Sequence, residues 1–363
     1  MRVAVLGAGG TIAPAIVRDL AESDEVVSLS LLDLDAERAA AVAEAHGNGK
    51  ATASAVDARG EGGLSAALVD VDVLVNSASY RVNLDAMGAC LDTGCHYLDL
   101  GGLYHVASEQ FELHEEFEER GLLALLGIGS APGKTNLMGA IAKRELGDVA
   151  RMDVSAAGRD LDPPAGLSIP YSLRTILDEL TLPPVVVRGG EPVEVEPLDP
   201  GGEVDFGEPI GEADTIHTLH TETLTFPTSF DCPEVTFRLS LAPGVVDRVR
   251  ALAGAADEEL DRAAREARPP SPRTVSVHLV EATAADEAMR VRAVTEPMPE
   301  WGIGGGVVST ASPAAAAVRL LARGRIEARG ALPPELCLDP DEMFGELASR
   351  GCRLDVAKTE VPA

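Results

Sequence analysis

Aromatic residues make up only 3% of this 363-residue chain. Bases stack on aromatic rings, so the composition disfavours a single-strand nucleic-acid binder. Positive charge is also scarce: 30 Lys plus Arg against 59 Asp plus Glu give a formal net charge of −29. Such a surface repels phosphate backbones and anionic lipid, and favours encounter with a cationic substrate. The five cysteines (Cys90, Cys95, Cys232, Cys337 and Cys352) are scattered, and none forms a C-x-x-C pair. Neither a metal site nor a disulfide framework is expected, and a reduced cytoplasmic protein is. No apolar run reaches the roughly eighteen residues of a membrane span. With the first strand opening at Arg2, no signal peptide is expected.

The opening thirty residues organise the rest. Arg2-Val3-Ala4-Val5-Leu6 is an apolar, β-branched run, Gly7 to Ala13 a glycine-rich turn, and Pro14 to Leu20 a helix. A second apolar run from Val26 ends at Asp33. Strand, glycine turn, helix, strand and acid make the start of a dinucleotide-binding βαβ unit. Gly7, Gly9 and Gly10 let the backbone approach a pyrophosphate, and the amides of Thr11 and Ile12 meet it at the helix start. Asp33, 33 − 7 = 26 residues after Gly7, is placed to accept from ribose hydroxyls and to repel a 2′-phosphate. That favours NAD. The loop departs from G-x-G-x-x-G, with Ile12 in the third glycine position of one register and Ala13 in that of the other.

Strand and helix alternate over 130 residues: helix 36–45, strand 50–56, helix 64–69, strand 71–75, helix 83–93, strand 96–100, helix 109–120 and strand 122–128. This predicts an α/β Rossmann fold, a doubly wound parallel sheet. The loops at 7–13, 76–80, 99–105 and 129–136 should converge at the carboxyl edge of that sheet. Beyond about residue 146 the texture changes to shorter strands broken by Pro/Gly stretches at 162–166, 183–184 and 197–211. The expected plan is a Rossmann domain over 1–130, a second, α+β domain over 131–310, and C-terminal helices over 311–363. The last helix is expected over 340–350, with order ending at Gly351.

Gly127 to Thr135 imitates a phosphate-binding P-loop, but the motif's first glycine falls on Ile128, and Pro132 removes an amide. A different resemblance is carried by Asn76 through Asn83, Tyr97-Leu98-Asp99-Leu100-Gly101-Gly102, Glu112-Leu113-His114-Glu115, Ala131-Pro132-Gly133 through Asn136, and Tyr171 to Asp178. Together these resemble the saccharopine dehydrogenase family, most nearly its lysine 6-dehydrogenase branch. The resemblance implies an NAD-dependent oxidoreductase acting on a C–N bond of an amino acid, by oxidative deamination of an ε-amine. It also implies a homodimer, with the α+β domain an inserted substrate and dimerisation domain and the C-terminal helices returning to the Rossmann domain. A C–N joining reductase of the saccharopine or carboxyspermidine type, and a non-catalytic dinucleotide-binding protein, are the alternatives. Lys134 and the run His217 to Glu222 depart from the lysine-branch pattern.

Oxidation at an amine carbon needs the neutral amine, so a base must first take a proton. The crevice offers Tyr80, Asp99, Lys134 and His217 as candidate catalytic groups. His105, Asn136, His220 and Glu222 are candidates for holding substrate. Besides the first loop and Asp33, the candidate cofactor contacts are Asp57, which closes the third strand, the Asn76-Ser77-Ala78 loop, Gly101 and Pro132.

Overall fold

The computed structural model describes residues 1–165, 168, 171–252, 254–268 and 270–360. In chain order the strands are β1 Arg2–Leu6, β2 Ser28–Asp33, β3 Ala51–Ala55, β4 Val73–Asn76, β5 His96–Asp99, β6 Leu123–Leu125, β7 Arg151–Asp160 and β8 Val185–Arg188. They continue as β9 Glu191–Glu194, β10 Pro200–Asp205, β11 Glu212–His217, β12 Glu234–Ser240, β13 Thr274–Thr283, β14 Glu287–Thr295, β15 Gly330–Leu332 and β16 Cys352–Glu360. The chain divides into two compact units. One is Met1–Lys134 with Thr310–Glu346, the other Thr135–Ser309 with Leu347–Ala363.

The first unit holds a 7-stranded sheet in the order β15-β6-β5-β4-β1-β2-β3, with every pairing parallel. Its central strands are buried on both faces, which is why β1 and β4 read as continuous apolar runs. The strand order reverses between β1 and β4, and a doubly wound sheet takes its ligand at that point. The helix Ala13–Ala21 follows β1 and carries Pro14 in its first turn. Asp35 caps the next helix, Ala36–His46, accepting from the amides of Glu37 and Arg38 at 3.0 and 3.1 Å. The single helix expected over 109–120 is two, Leu103–Phe111 and His114–Glu119.

A late helix contributes to the same unit through a buried charge pair. Arg319 lies on Gly305–Ala322, and its Nη1 meets Asp19 Oδ1 at 2.7 Å. Its Nε meets Glu346 at the same distance. This helix is the one element among the described residues long and apolar enough to cross a membrane, and 78% of its 18-residue window is buried inside the protein. It starts at Gly305, ahead of the 311–363 stretch expected to hold the C-terminal helices, and Pro313 lies inside it.

The second unit is an α+β body around a 9-stranded sheet, ordered β10-β11-β12-β7-β13-β14-β16, with β8 and β9 attached beside β12. Pairings are antiparallel except β12 with β7. One expectation fails here. Residues 352–360, expected to follow the last ordered helix as tail, form β16 along the whole of β14, so Leu347–Ala363 groups with the second unit. The segment after His217 changes from strand to helix. β11 ends at His217, and Glu222 opens a helix, Glu222–Phe230.

Candidate active site

Gly7 closes the first loop. Its φ is +76°, and a Cβ there would lie 2.6 Å from the backbone of Ala78. The loop is then pinned from below: Gly7 and Ala8 donate to Leu32 O, and Gly10 donates to Gly7 O. Asp33 Oδ2 accepts the Gly9 amide at 2.8 Å. The Arg38 guanidinium donates to Gly9 O. The amides of Thr11, Ile12 and Ala13 have no protein acceptor among the described residues, and Pro14 carries none. Free amides at a helix start suit a pyrophosphate, so the loop fits a dinucleotide.

The neighbouring loops brace one another. Ser77 donates through both its amide and its hydroxyl to Leu6 O. Asn76 accepts from the Ala78 amide at 3.0 Å and donates to Asn83 and the Tyr97 hydroxyl. Pro132 packs where a Cβ on Gly101 would fall, at 3.1 Å. Of the expected cofactor residues, the structure therefore gathers Gly7, Gly9, Gly10, Asp33 and Ala78 round one turn, and sets Gly101 against Pro132. Asp57 is exposed beyond β3, where its carboxylate accepts from the Arg59 amide.

Asp99 sits under these loops with both oxygens saturated. Oδ1 accepts from the amides of Gly101 and Gly127 at 3.0 and 2.7 Å. Oδ2 accepts from Gln110, Tyr97 and Asn83 at 2.7, 3.0 and 3.2 Å. Burial pushes its carboxyl up from the ordinary range, and these donors pull it back. With five donors already bound, Asp99 fastens the 99–101 loop to Gly127 and to the side chains of Asn83, Tyr97 and Gln110. Tyr80 lies on a short 3-10 turn with the Arg81 guanidinium 4.9 Å from its ring centroid. Lys134 is buried at the start of the helix Lys134–Leu146. His105 is exposed on Leu103–Phe111, its ring edge against Tyr104.

The second unit has its own polar cluster. Thr135 donates to Glu222 Oε1 at 2.7 Å, and Asn136 donates to Thr225 at 3.5 Å. His220 stacks on Phe237 at 3.5 Å between centroids, and its Nδ1 lies 3.6 Å from Glu222 Oε2. His217 stands apart at the end of β11, Nδ1 3.3 Å from Phe237 O, and burial lowers its pKa. Sequence reasoning did not single out Glu179 or the role of Tyr171, whose hydroxyl donates to the Glu179 carboxylate. Glu179 is buried on the helix Leu173–Thr181, beside its apolar face. Its place one turn after Ile176 was the available signal.

Comparison with known proteins agrees with this architecture. Residues 3–125 match the family model described as the saccharopine dehydrogenase NADP binding domain. A carboxyaminopropylagmatine dehydrogenase of Synechocystis is 28% identical over 162 residues, 42% of this chain and 40% of that protein. A carboxynorspermidine synthase of Vibrio alginolyticus is 32% identical over 123 residues, 30% of each. The matched stretch thus spans less than half the length of either curated relative. Among solved structures, the apo saccharopine dehydrogenase (L-Glu forming) of Saccharomyces cerevisiae aligns with TM-score 0.74 at 15% identity, covering 99% of both chains. The homospermidine synthase of Legionella pneumophila in complex with NAD aligns with TM-score 0.75 at 11% identity, covering 99% of this chain and 91% of that one. At such identity these two show a shared fold.

Proposed function

We propose, on the premise that residues 3–125 belong to the saccharopine dehydrogenase NADP-binding domain family, that this chain is an NAD(P)-dependent oxidoreductase acting at a C–N bond of a small amine. The observation that carries it is the first loop: Gly7 closed onto Ala78, with the amides of Thr11 and Ile12 left free at a helix start. A bound nicotinamide dinucleotide supplies the two-electron exchange that such a reaction needs.

Thr11 and Ile12 would hold the pyrophosphate and Asp33 the adenosine ribose. Asp33 favours NAD by repelling a 2′-phosphate. Arg38, donating to Gly9 O beside it, is the residue through which a 2′-phosphate could still be received. NAD is the proposed cofactor, with that guanidinium as the counterweight. The amine must lose a proton before its carbon is oxidised, and the groups offered for that transfer are Lys134, Tyr80 and the His220–Glu222 pair.

Two reactions fit. In one, an amine and a carbonyl compound condense with loss of water, and the C=N bond is reduced to a secondary amine. In the other, a primary amine such as the ε-amine of lysine is oxidised to an imine by the oxidised dinucleotide, and water converts the imine to the semialdehyde with release of ammonia. The names of the curated relatives support the joining reaction at least as well as the lysine reaction. We place joining first; the lysine-branch motifs from Asn76 to Asn136 keep the second in view. Assays for NADH or NADPH consumption with an amine plus a carbonyl partner, lysine plus 2-oxoglutarate among them, test the first. NADH formation with L-lysine alone tests the second. Silence in every pairing, with dinucleotide bound, would leave a binding protein and sink both.

A further inference from the structure

We propose that Glu179, His220 and Glu222 form a subsite in the second unit for a primary ammonium group, the charged end of the amine class put forward above. The inference rests on that reading for its substrate, and on geometry for its place.

Three observations carry it. Glu222 is 0% exposed and His220 8%. Glu222 Oε1 is held by Thr135, while Oε2 and both His220 ring nitrogens are buried and have no hydrogen-bond partner among the described residues. Glu222 Oε2 and His220 Nδ1 lie 3.6 Å apart, too far for a hydrogen bond and close enough for one small donor to meet both. Glu179, 6% exposed, accepts from Tyr171 and feels the charges of His220 and Glu222. No lysine or arginine among the described residues pairs with either glutamate, whereas the half-buried Asp153 of the same unit pairs with Arg151 at 2.7 Å.

Two buried carboxylates with a single histidine beside them are costly, because burial strips their hydration and the contacts with Thr135, Tyr171 and His220 repay it only in part. Burial raises the Glu179 carboxyl, the shift that an arriving cation reverses. The missing partner must be positive and must donate several hydrogen bonds. A phosphate or carboxylate is repelled by the pair, and a quaternary ammonium has no N–H to give. The described residues contain no set of metal-holding side chains. An –NH3⁺ group offers three donors, and the acceptors waiting are Glu222 Oε2, a His220 nitrogen and the Glu179 carboxylate. The ring face of His220 is fixed against Phe237, so the acceptor direction is set before the ligand arrives.

The test is calorimetric titration of the full chain, without turnover, using 1,4-diaminobutane and L-lysine as probes and glutarate as the anionic control. The expected result is saturable binding of an amine probe and none of glutarate. Glu222→Gln and Glu179→Gln should each weaken that binding at least about tenfold, the loss of one charge-assisted hydrogen bond. Each variant is first checked for retained NAD binding, a readout of folding located in the other unit. Should Glu222→Gln fail to fold, Glu179→Gln decides. Unaltered amine binding in the folded variants, or no amine binding by the parent chain, overturns the subsite. Amine bound and lost in the variants with no turnover of any amine would retain the subsite and sink the reaction. Turnover with unaltered binding would do the reverse.

Discussion

The carboxylate of Asp33 accepts the amide of Gly9 at 2.8 Å, so the acid expected at the ribose also fastens the glycine-rich first loop. Its second oxygen accepts from Asp35 at 2.9 Å. On the proposed reading, cofactor preference and loop shape are linked through one side chain. Asp33→Ser is expected to weaken NAD binding and shift the NADP/NAD affinity ratio toward NADP, since the repelling charge is gone. Arg38→Ala should shift the ratio the other way. Dinucleotide titration of both variants checks this, and an unmoved ratio in both would refute the assignment.

Asp99 offers a contrast between holding and reacting. Replacing it by Asn keeps the shape, turns one acceptor into a donor and faces it toward existing donors. A loss of about 3 kcal/mol in stability is expected, from buried donors left unpaired. The melting temperature should fall, while the pH profile of any turnover by the folded fraction stays unchanged. A catalytic Asp99 would give the opposite pattern, an altered profile at near-parental stability.

Much of the first unit was legible in the sequence because parallel strands buried on both faces leave continuous apolar runs, as in Val73–Asn76, and because glycine turns mark their ends. The second unit was not, for reasons specific to its residues. β16 is an edge strand in which Cys352 is buried while Val356, on the same face, is 47% exposed, so past Gly351 it carries little apolar weight. β10 lies inside a Pro/Gly-rich stretch, the usual mark of a loop. Glu222 was legible as a residue with chemistry, but not as the head of a helix that contains Pro227. Glu179 was hidden because an Asp-Glu pair on a helix ordinarily faces water, and here the second acid turns inward. The role of Asp99 depended on donors from residues 83, 97, 101, 110 and 127, a convergence that spacing alone does not reveal.

The pair Arg319–Asp19 ties the late helix to the one that begins at the phosphate loop. Both side chains are buried, at 3% and 0% exposure. Arg319→Met should cost about 3–5 kcal/mol, because Asp19 is left charged and buried. Adding Asp19→Leu should recover part of that loss, which urea denaturation of the single and double variants would reveal. A double variant no more stable than the single one would show that the pair's value lies in its hydrogen bonds to Glu346 and elsewhere.

Acid should weaken the same region. Glu25 is lowered from 4.5 to about 2, first by the Ser23 hydroxyl and then by Arg323. A depressed carboxyl contributes stability that is fully present above its unfolded value near 4.5 and lost as pH falls toward about 2. Glu25→Gln should therefore lower the melting temperature at pH 7 and leave it closer to the parent's at pH 3. Equal offsets at both pH values would contradict the linkage.

Gly7 is the most exacting position in the first loop. It needs φ of +76°, and a methyl group there would lie 2.6 Å from Ala78 Cα and N. Backbone atoms cannot yield as a flexible side chain does, so Gly7→Ala must push the Asn76–Ala78 loop away or open the turn. The strained φ alone costs about 1–2 kcal/mol. Asn76 is locked to Asn83 and Tyr97, and these bonds make the turn the part that moves. Opening the turn displaces the amides of Thr11 and Ile12 from a common target. Dinucleotide affinity should therefore fall by much more than stability, whereas Gly49→Ala, also at positive φ but with open space around it, should lose stability alone. Parallel titration and melting of the two variants separates close approach from backbone strain. Equal losses of affinity in both would mean that the loop's contact with Ala78 does not govern binding.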